Sequence, residues 1–160
     1  MGIFEKLFKR SRPAIMIVGN AQMSEPYVKA EYERPRTEAP VVTDQTPRLS
    51  RARNQSWTKP VDVWKWSHNS ERAAVALGLG EIPLGKGAPC EVALWKEGHG
   101  LPIWVIAAGY VVGELPDDGR VRDKLKRTGS NLGIAQAEIR HRTPAQVSAG
   151  EVEYGWRVYV

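Results

Sequence analysis

Residues 103–115, IWVIAAGYVVGEL, are apolar almost throughout and are broken at their centre by Ala108 and Gly109. Each half has the length of a strand and is rich in β-branched and aromatic residues, which is too short for a buried helix. Glycine at the break accepts the positive φ of a tight turn, so the two halves are expected to pair as an antiparallel hairpin. An apolar hairpin cannot stand alone in water, and the rest of the chain must cover it.

The neighbouring segments can do so. In CEVALW, Cys90, Val92 and Leu94 alternate with Glu91, Ala93 and Trp95, the period of a strand. IAQAEIRHR and EYGWRVYV read as closing strands, the last with Tyr154, Trp156, Val158 and Val160 on one face. VDVWKW, from Val61, reads as a strand with imperfect alternation. SERAAVALGLG predicts a short helix with Ser70 as N-cap, Ala73, Ala74, Val75 and Leu77 within it, and Gly78 or Gly80 at its end. DDGRVRDKLKRTG predicts a second, begun at Asp117 or Asp118, with Val121 and Leu125 on its buried side and Thr128 and Gly129 closing it. About six short strands with two short helices do not suit a doubly wound parallel sheet, which needs a helix between most strands. The fold class expected is mainly β (α+β): a small, partly open antiparallel β-barrel with two short helices, preceded by a flexible N-terminal arm.

Three regions follow. In residues 1–24, Ile3, Phe4, Leu7 and Phe8 share one face of a short amphipathic helix, and AIMIV is a candidate strand. That helix would dock on its own domain, on a protein partner or, with added length or a lipid, on a membrane surface. Residues 25–60 scatter Pro26, Pro35, Pro40, Pro47 and Pro60 among polar residues, the composition of an extended, mobile linker. Residues 61–160 are the barrel domain. Charge divides in the same way: residues 1–60 hold 11 Lys/Arg against 6 Asp/Glu, whereas residues 61–160 hold 12 against 12. Attraction for a polyanion therefore belongs first to the arm.

No run approaches the ~18 apolar residues of a transmembrane helix, and AIMIV is shorter than the ~7–15-residue core of a signal peptide. The one cysteine, Cys90, has no partner for an intrachain disulfide, which suits a reducing compartment. A cytoplasmic protein without a transmembrane segment is expected. His68, His99 and His141 belong to no HExxH or Cys/His cluster, and the glycines around Lys86 lack the spacing of a phosphate-cradling loop. No nucleophile elbow or thiol–histidine pairing is present. The reading is non-enzymatic, with no catalytic residue, metal or cofactor.

Glu97 at the end of CEVALWKE, Gly109 at the hairpin tip, and Val112, Gly113, Leu115 and Pro116 carry a resemblance. Over residues 61–160 the chain resembles the HIRAN domain, a small β-barrel module of DNA-repair helicase-like proteins and of free-standing bacterial proteins. Val112–Pro116 stand against that family's Val-Gly-Tyr-Leu-Pro, with Glu114 replacing the tyrosine. The resemblance implies a barrel that grips a single-stranded 3′ end. The family uses a basic–aromatic pair on the first strand, where Lys65 and Trp66 fall, and an Asn-Pro-x-Asp loop, where this chain has GHGLPIW. The likeness is therefore to a divergent form lacking that loop, in which scaffold and site can part company.

The expected function is a nucleic-acid-binding module, taking DNA with single strands or ends by aromatic stacking and Lys/Arg contacts to phosphate. Candidate contacts are Lys65, Trp66, Trp95, Lys96 and His99 on the domain, with Arg51 and Arg53 in PRLSRARNQSW; Trp57, Trp104 and the cations of RVRDKLKR stand beside them. Tryptophan also fills cores, and RVRDKLKR is equally a solvated helix face. The alternative is a protein-interaction module on the same scaffold, presenting the N-terminal helix or the tryptophan-rich surface to a partner.

Overall fold

The hairpin forms at one end of the sheet: β2 (Ile103–Ala107) pairs antiparallel with β3 (Tyr110–Leu115) in the computed structural model, which describes residues 39–51, 57–61, 63–79, 81–115 and 119–160. Ala108 and Gly109 both take positive φ, 50° and 86°, the two-residue turn whose twist matches that of its strands. A register shift opposite Val105 and Ile106 gives β3 one extra residue. This bulge reverses the strand's facing, so Val111 and Leu115 bury on opposite sides although four residues apart.

β1 (Gly87–Lys96), β4 (Leu132–His141) and β5 (Tyr154–Tyr159) complete a five-stranded antiparallel sheet in the order β3-β2-β1-β4-β5, curled into a half-barrel. Alternation sorts the side chains. The inner face gathers Val92, Leu94, Val105, Ile139, Trp156 and Val158 into the main core, under α1 (Ser67–Ala76) and α2 (Gly119–Thr128). At the β1–β2–β3 end the outer face is covered too: Trp66, Trp95, Trp104 and Ile106 form a second cluster, with Trp66 edge-on to Trp104 at 6.1 Å. Sheet burial is thus two-sided at one end and one-sided at the other.

The helices follow the expected faces with two corrections. Val121 and Leu125 of α2 are buried, and Gly129 at φ 72° ends it. α1 ends at Gly78, φ 72°, where the Leu79 and Gly78 amides donate to the Ala74 and Val75 carbonyls, the double bond of a Schellman cap. It begins at Ser67, however, so Ser70 is not its cap; Ser70 lies inside the helix, buried, and accepts from Trp156 Nε1 at 2.9 Å. VDVWKW is not a strand either. Val63–Trp66 is a 3₁₀ turn leading into α1, which lets Val63 pack against the main core and Trp66 enter the second cluster. A third helix, α3 (Pro144–Ser148), sits between β4 and β5 behind a Thr143/Gln146 capping box. The expected N-terminal helix, the candidate strand AIMIV, Gly80, Arg53 and the Asp117/Asp118 helix start lie outside the described residues.

Two parts of the region expected as a linker lie against the sheet. Where β5 stops short along β4, Pro47–Leu49 takes its place: the Ile134 amide donates to the Pro47 carbonyl and the Leu49 amide to the Ile134 carbonyl, both at 2.8 Å. Leu49 drops over Gly133, into room that a Cβ there would close. Further on, Thr58 pairs with Val158 on the free edge of β5 and Val61 with Glu114 on the free edge of β3. The strap 58–61 therefore ties together the two outermost strands of the half-barrel and gives both edges a partner. Its close approach requires Gly113, whose Cβ would lie 2.8 Å from that of Pro60.

Candidate nucleic-acid interface

With the inner face filled and the second cluster covering one end, the outer face of β1, β4 and β5 remains. Cross-strand register lays its residues out in rows: Glu91, Gln136 and Tyr159 in one, Pro89, Glu138 and Arg157 in the next, Gly87, Arg140 and Gly155 in a third. Each is the outward partner of an inward core residue, so one alternation that builds the core also builds this surface.

Two arginine–aromatic stacks stand on it. The Arg51 guanidinium lies 4.4 Å from the Tyr159 ring centroid and donates to Gln136 Oε1 at 3.0 Å. The Arg157 guanidinium lies 4.3 Å from the ring of Trp57, which is 43 % exposed. In each stack one partner belongs to β5 and the other, Arg51 or Trp57, is brought in by a chain segment already fixed to the sheet. Arg51 follows Leu49, and Lys124 of α2 donates to the intervening Ser50 carbonyl at 2.9 Å; Trp57 precedes the Thr58 bridge. Guanidinium and aromatic planes held in this way suit both phosphate and base.

Cations outnumber carboxylates here. Arg48 pairs with Glu91, while Arg140 (3.1 Å) and Arg157 (3.7 Å) share Glu138 Oε1. Arg142, beside them, is ion-paired to Glu151 and largely buried; burial first, then the charges of Arg140 and Arg157, lowers its affinity for its proton. Between the rows lies a cleft of about 390 Å³ lined by Arg51, Pro89, Glu91, Gln136, Glu138 and Tyr159. Cys90 also reaches it, but burial pushes its thiol up to about 11, so it is protonated at neutral pH and no nucleophile.

The expected contacts disperse. Trp66 and Trp95 are 2 % and 4 % exposed and belong to the second core cluster, so neither presents a ring for stacking; Trp104 is buried with them and donates from Nε1 to Glu97 Oε1 at 3.1 Å. Lys65 is placed next to an exposed tryptophan, but that residue is Trp64, with Nζ 5.8 Å from the ring centroid. Lys96 donates to the Gly98 carbonyl at 3.1 Å, and His99 is exposed on the loop between β1 and β2. Of these expected contacts, only Arg51 among the described residues stands on the outer face of β4–β5. Trp57 was a stacking candidate by type; Tyr159, Arg157 and Gln136 were not singled out, although the apolar phase of EYGWRVYV already assigns Arg157 and Tyr159 to the opposite face.

A larger cavity, about 560 Å³, lies at the hairpin tip between Ala39–Val42 and the strands, with Leu77, Leu79, Ile106 and Ile134 in its walls. Among the described residues no group of three His, Cys, Asp or Glu is placed to hold a metal ion, and no helix is long and apolar enough to cross a membrane. No family model, curated protein or solved structure matches the chain.

Proposed function

We propose that the chain is a divergent HIRAN-like module that binds single-stranded DNA along the outer face of β4 and β5, not at the Lys65/Trp66 position. The observation that carries this reading is the pair of arginine–aromatic stacks, Arg51 on Tyr159 and Arg157 on Trp57. Tyr159 and Arg157 are two residues apart on one strand face, about 7 Å, a separation comparable with one step of an extended strand. Bases stack on the flat groups while Arg48, Arg140 and Arg157 neutralise phosphates. The basic residues of the first sixty, and Lys65 beside Trp64 beyond the strap, extend the same attraction.

Fluorescence anisotropy with labelled single-stranded and duplex DNA tests it on the full chain at two salt concentrations. Single strands bind more tightly, and the logarithm of affinity falls against that of salt with a slope of about −2 for three neutralised phosphates. Tyr159→Ala weakens binding about 5- to 150-fold, the worth of one stacked base. Affinity indifferent to salt and to Tyr159→Ala removes the proposal. A protein ligand is the second reading, favoured by Val41 and Val42, 66 % and 47 % exposed beside the larger apolar cavity; such binding would barely respond to salt.

A further inference from the structure

We infer that the cleft between β1, β4 and β5 reads a single base and selects guanine. This rests on the reading that the outer face takes single-stranded DNA, and it adds a sequence preference to that reading.

The row Glu91, Gln136, Tyr159 crosses three adjacent strands, each about 4.8 Å from the next. A platform, an amide and a carboxylate therefore succeed one another across about 10 Å. A base laid on the Arg51–Tyr159 stack directs its edge along this row, toward Gln136 and then Glu91. The cleft volume of about 390 Å³ lies at the small end of ligand pockets, about 300–1,000 Å³, and suits one nucleotide.

The polar groups along the row have fixed roles. A guanidinium only donates, so the Gln136 oxygen faces Arg51 and its Nε2 donors point the other way. Glu91 is held by Arg48 through Oε2, leaving Oε1 as an acceptor, and Glu138 takes its two arginines on Oε1. The cleft thus offers carboxylate acceptors beside an amide donor. Guanine carries the complement: N1–H and the N2 amino group donate side by side, as a carboxylate accepts them, and O6 next to them accepts from an amide. Thymine turns two carbonyl oxygens to the same edge with one N–H between them, and they meet the carboxylates with like charge. Adenine has an acceptor at N1, and cytosine has one donor group beside an acceptor. Both carboxylates are held by arginines, so they are oriented as acceptors on a face where cations still outnumber them.

The test compares three twelve-residue single strands by anisotropy with the full chain: all thymine, thymine with one central guanine, and thymine with one central inosine. Inosine keeps N1–H and O6 and lacks the amino group. The guanine strand is expected to bind about tenfold more tightly than all thymine, within the range of one bidentate base contact, and inosine loses most of that gain. Glu91→Gln brings the guanine strand down to the all-thymine level. The inosine comparison needs no protein variant and stands even if Glu91→Gln folds poorly. Equal affinity for the three strands, with salt-dependent binding intact, overturns guanine selection and leaves the proposed function standing; no binding of any strand at low salt overturns both.

Discussion

Cys90 shows how a single side chain is disarmed by its place in the sheet. It points from β1 toward the core, lines both cavities, and has its thiol pushed up to about 11, burial being the main cause and Glu138 and Glu91 adding to it. At pH 8 an unfolded thiol with the ordinary value of 9.0 is about one-tenth thiolate, so alkylation of the folded protein by iodoacetamide should be about two orders of magnitude slower than in denaturant. Equal rates would place Cys90 in water. The folded state keeps this proton where the unfolded chain has lost it. Stability is therefore untouched below pH 9.0 and declines as pH rises toward about 11, a loss that Cys90→Ala removes. Residue-scale reading of the sequence succeeded where alternation is strict, as for Trp156 and Val158. It failed at Trp64 and Trp66, which share a face in a strand and part company in a 3₁₀ turn; one ends 47 % and the other 2 % exposed.

Elements were legible to the extent that their signals were local. The hairpin declared itself through Gly109, and α2 through Val121 and Leu125 four apart. α3 has a local signal of its own, since Thr143, Pro144 and Gln146 form the capping-box pattern with proline at the first helical position. The sixth expected strand was lost because its backbone pairing shrinks to one bridge, Val61 to Glu114. The hairpin tip also holds a removable cost. Ala108 sits at φ 50°, where a side chain with a Cβ is strained and asparagine is tolerated. Ala108→Asn should raise stability by about 0.5–1 kcal/mol, read as a later midpoint in urea with an unchanged slope. An earlier midpoint would mean that the turn is stabilised by something other than its backbone shape.

At the scale of the molecule, closure and site come from contacts that no local pattern contains. Arg51 meets Tyr159, and Trp57 meets Arg157, across nearly the whole described chain, which is why neither stack was legible beforehand. The strap 58–61 is the common support: its first residue fixes Trp57 beside β5 and its last seals the edge of β3. These two duties can be separated. Gly113→Ala puts a Cβ 2.8 Å from Pro60 and 3.2 Å from Val63, and proline cannot yield, so the strap must lift from β3. The bonds between Val61 and Glu114, 2.8 and 3.3 Å, open, while those between Thr58 and Val158, 2.7 and 2.9 Å, lie on the far edge and persist. Hydrogen exchange at the Val61 and Glu114 amides should accelerate at least about tenfold, with protection kept in β1 and β4. Single-stranded DNA affinity should change little, because both stacks are anchored to β4 and β5. Unchanged exchange at Val61 would show that the half-barrel is closed by some other contact, and a collapse of DNA binding with β5 intact would move the interface from the outer face to the strap itself.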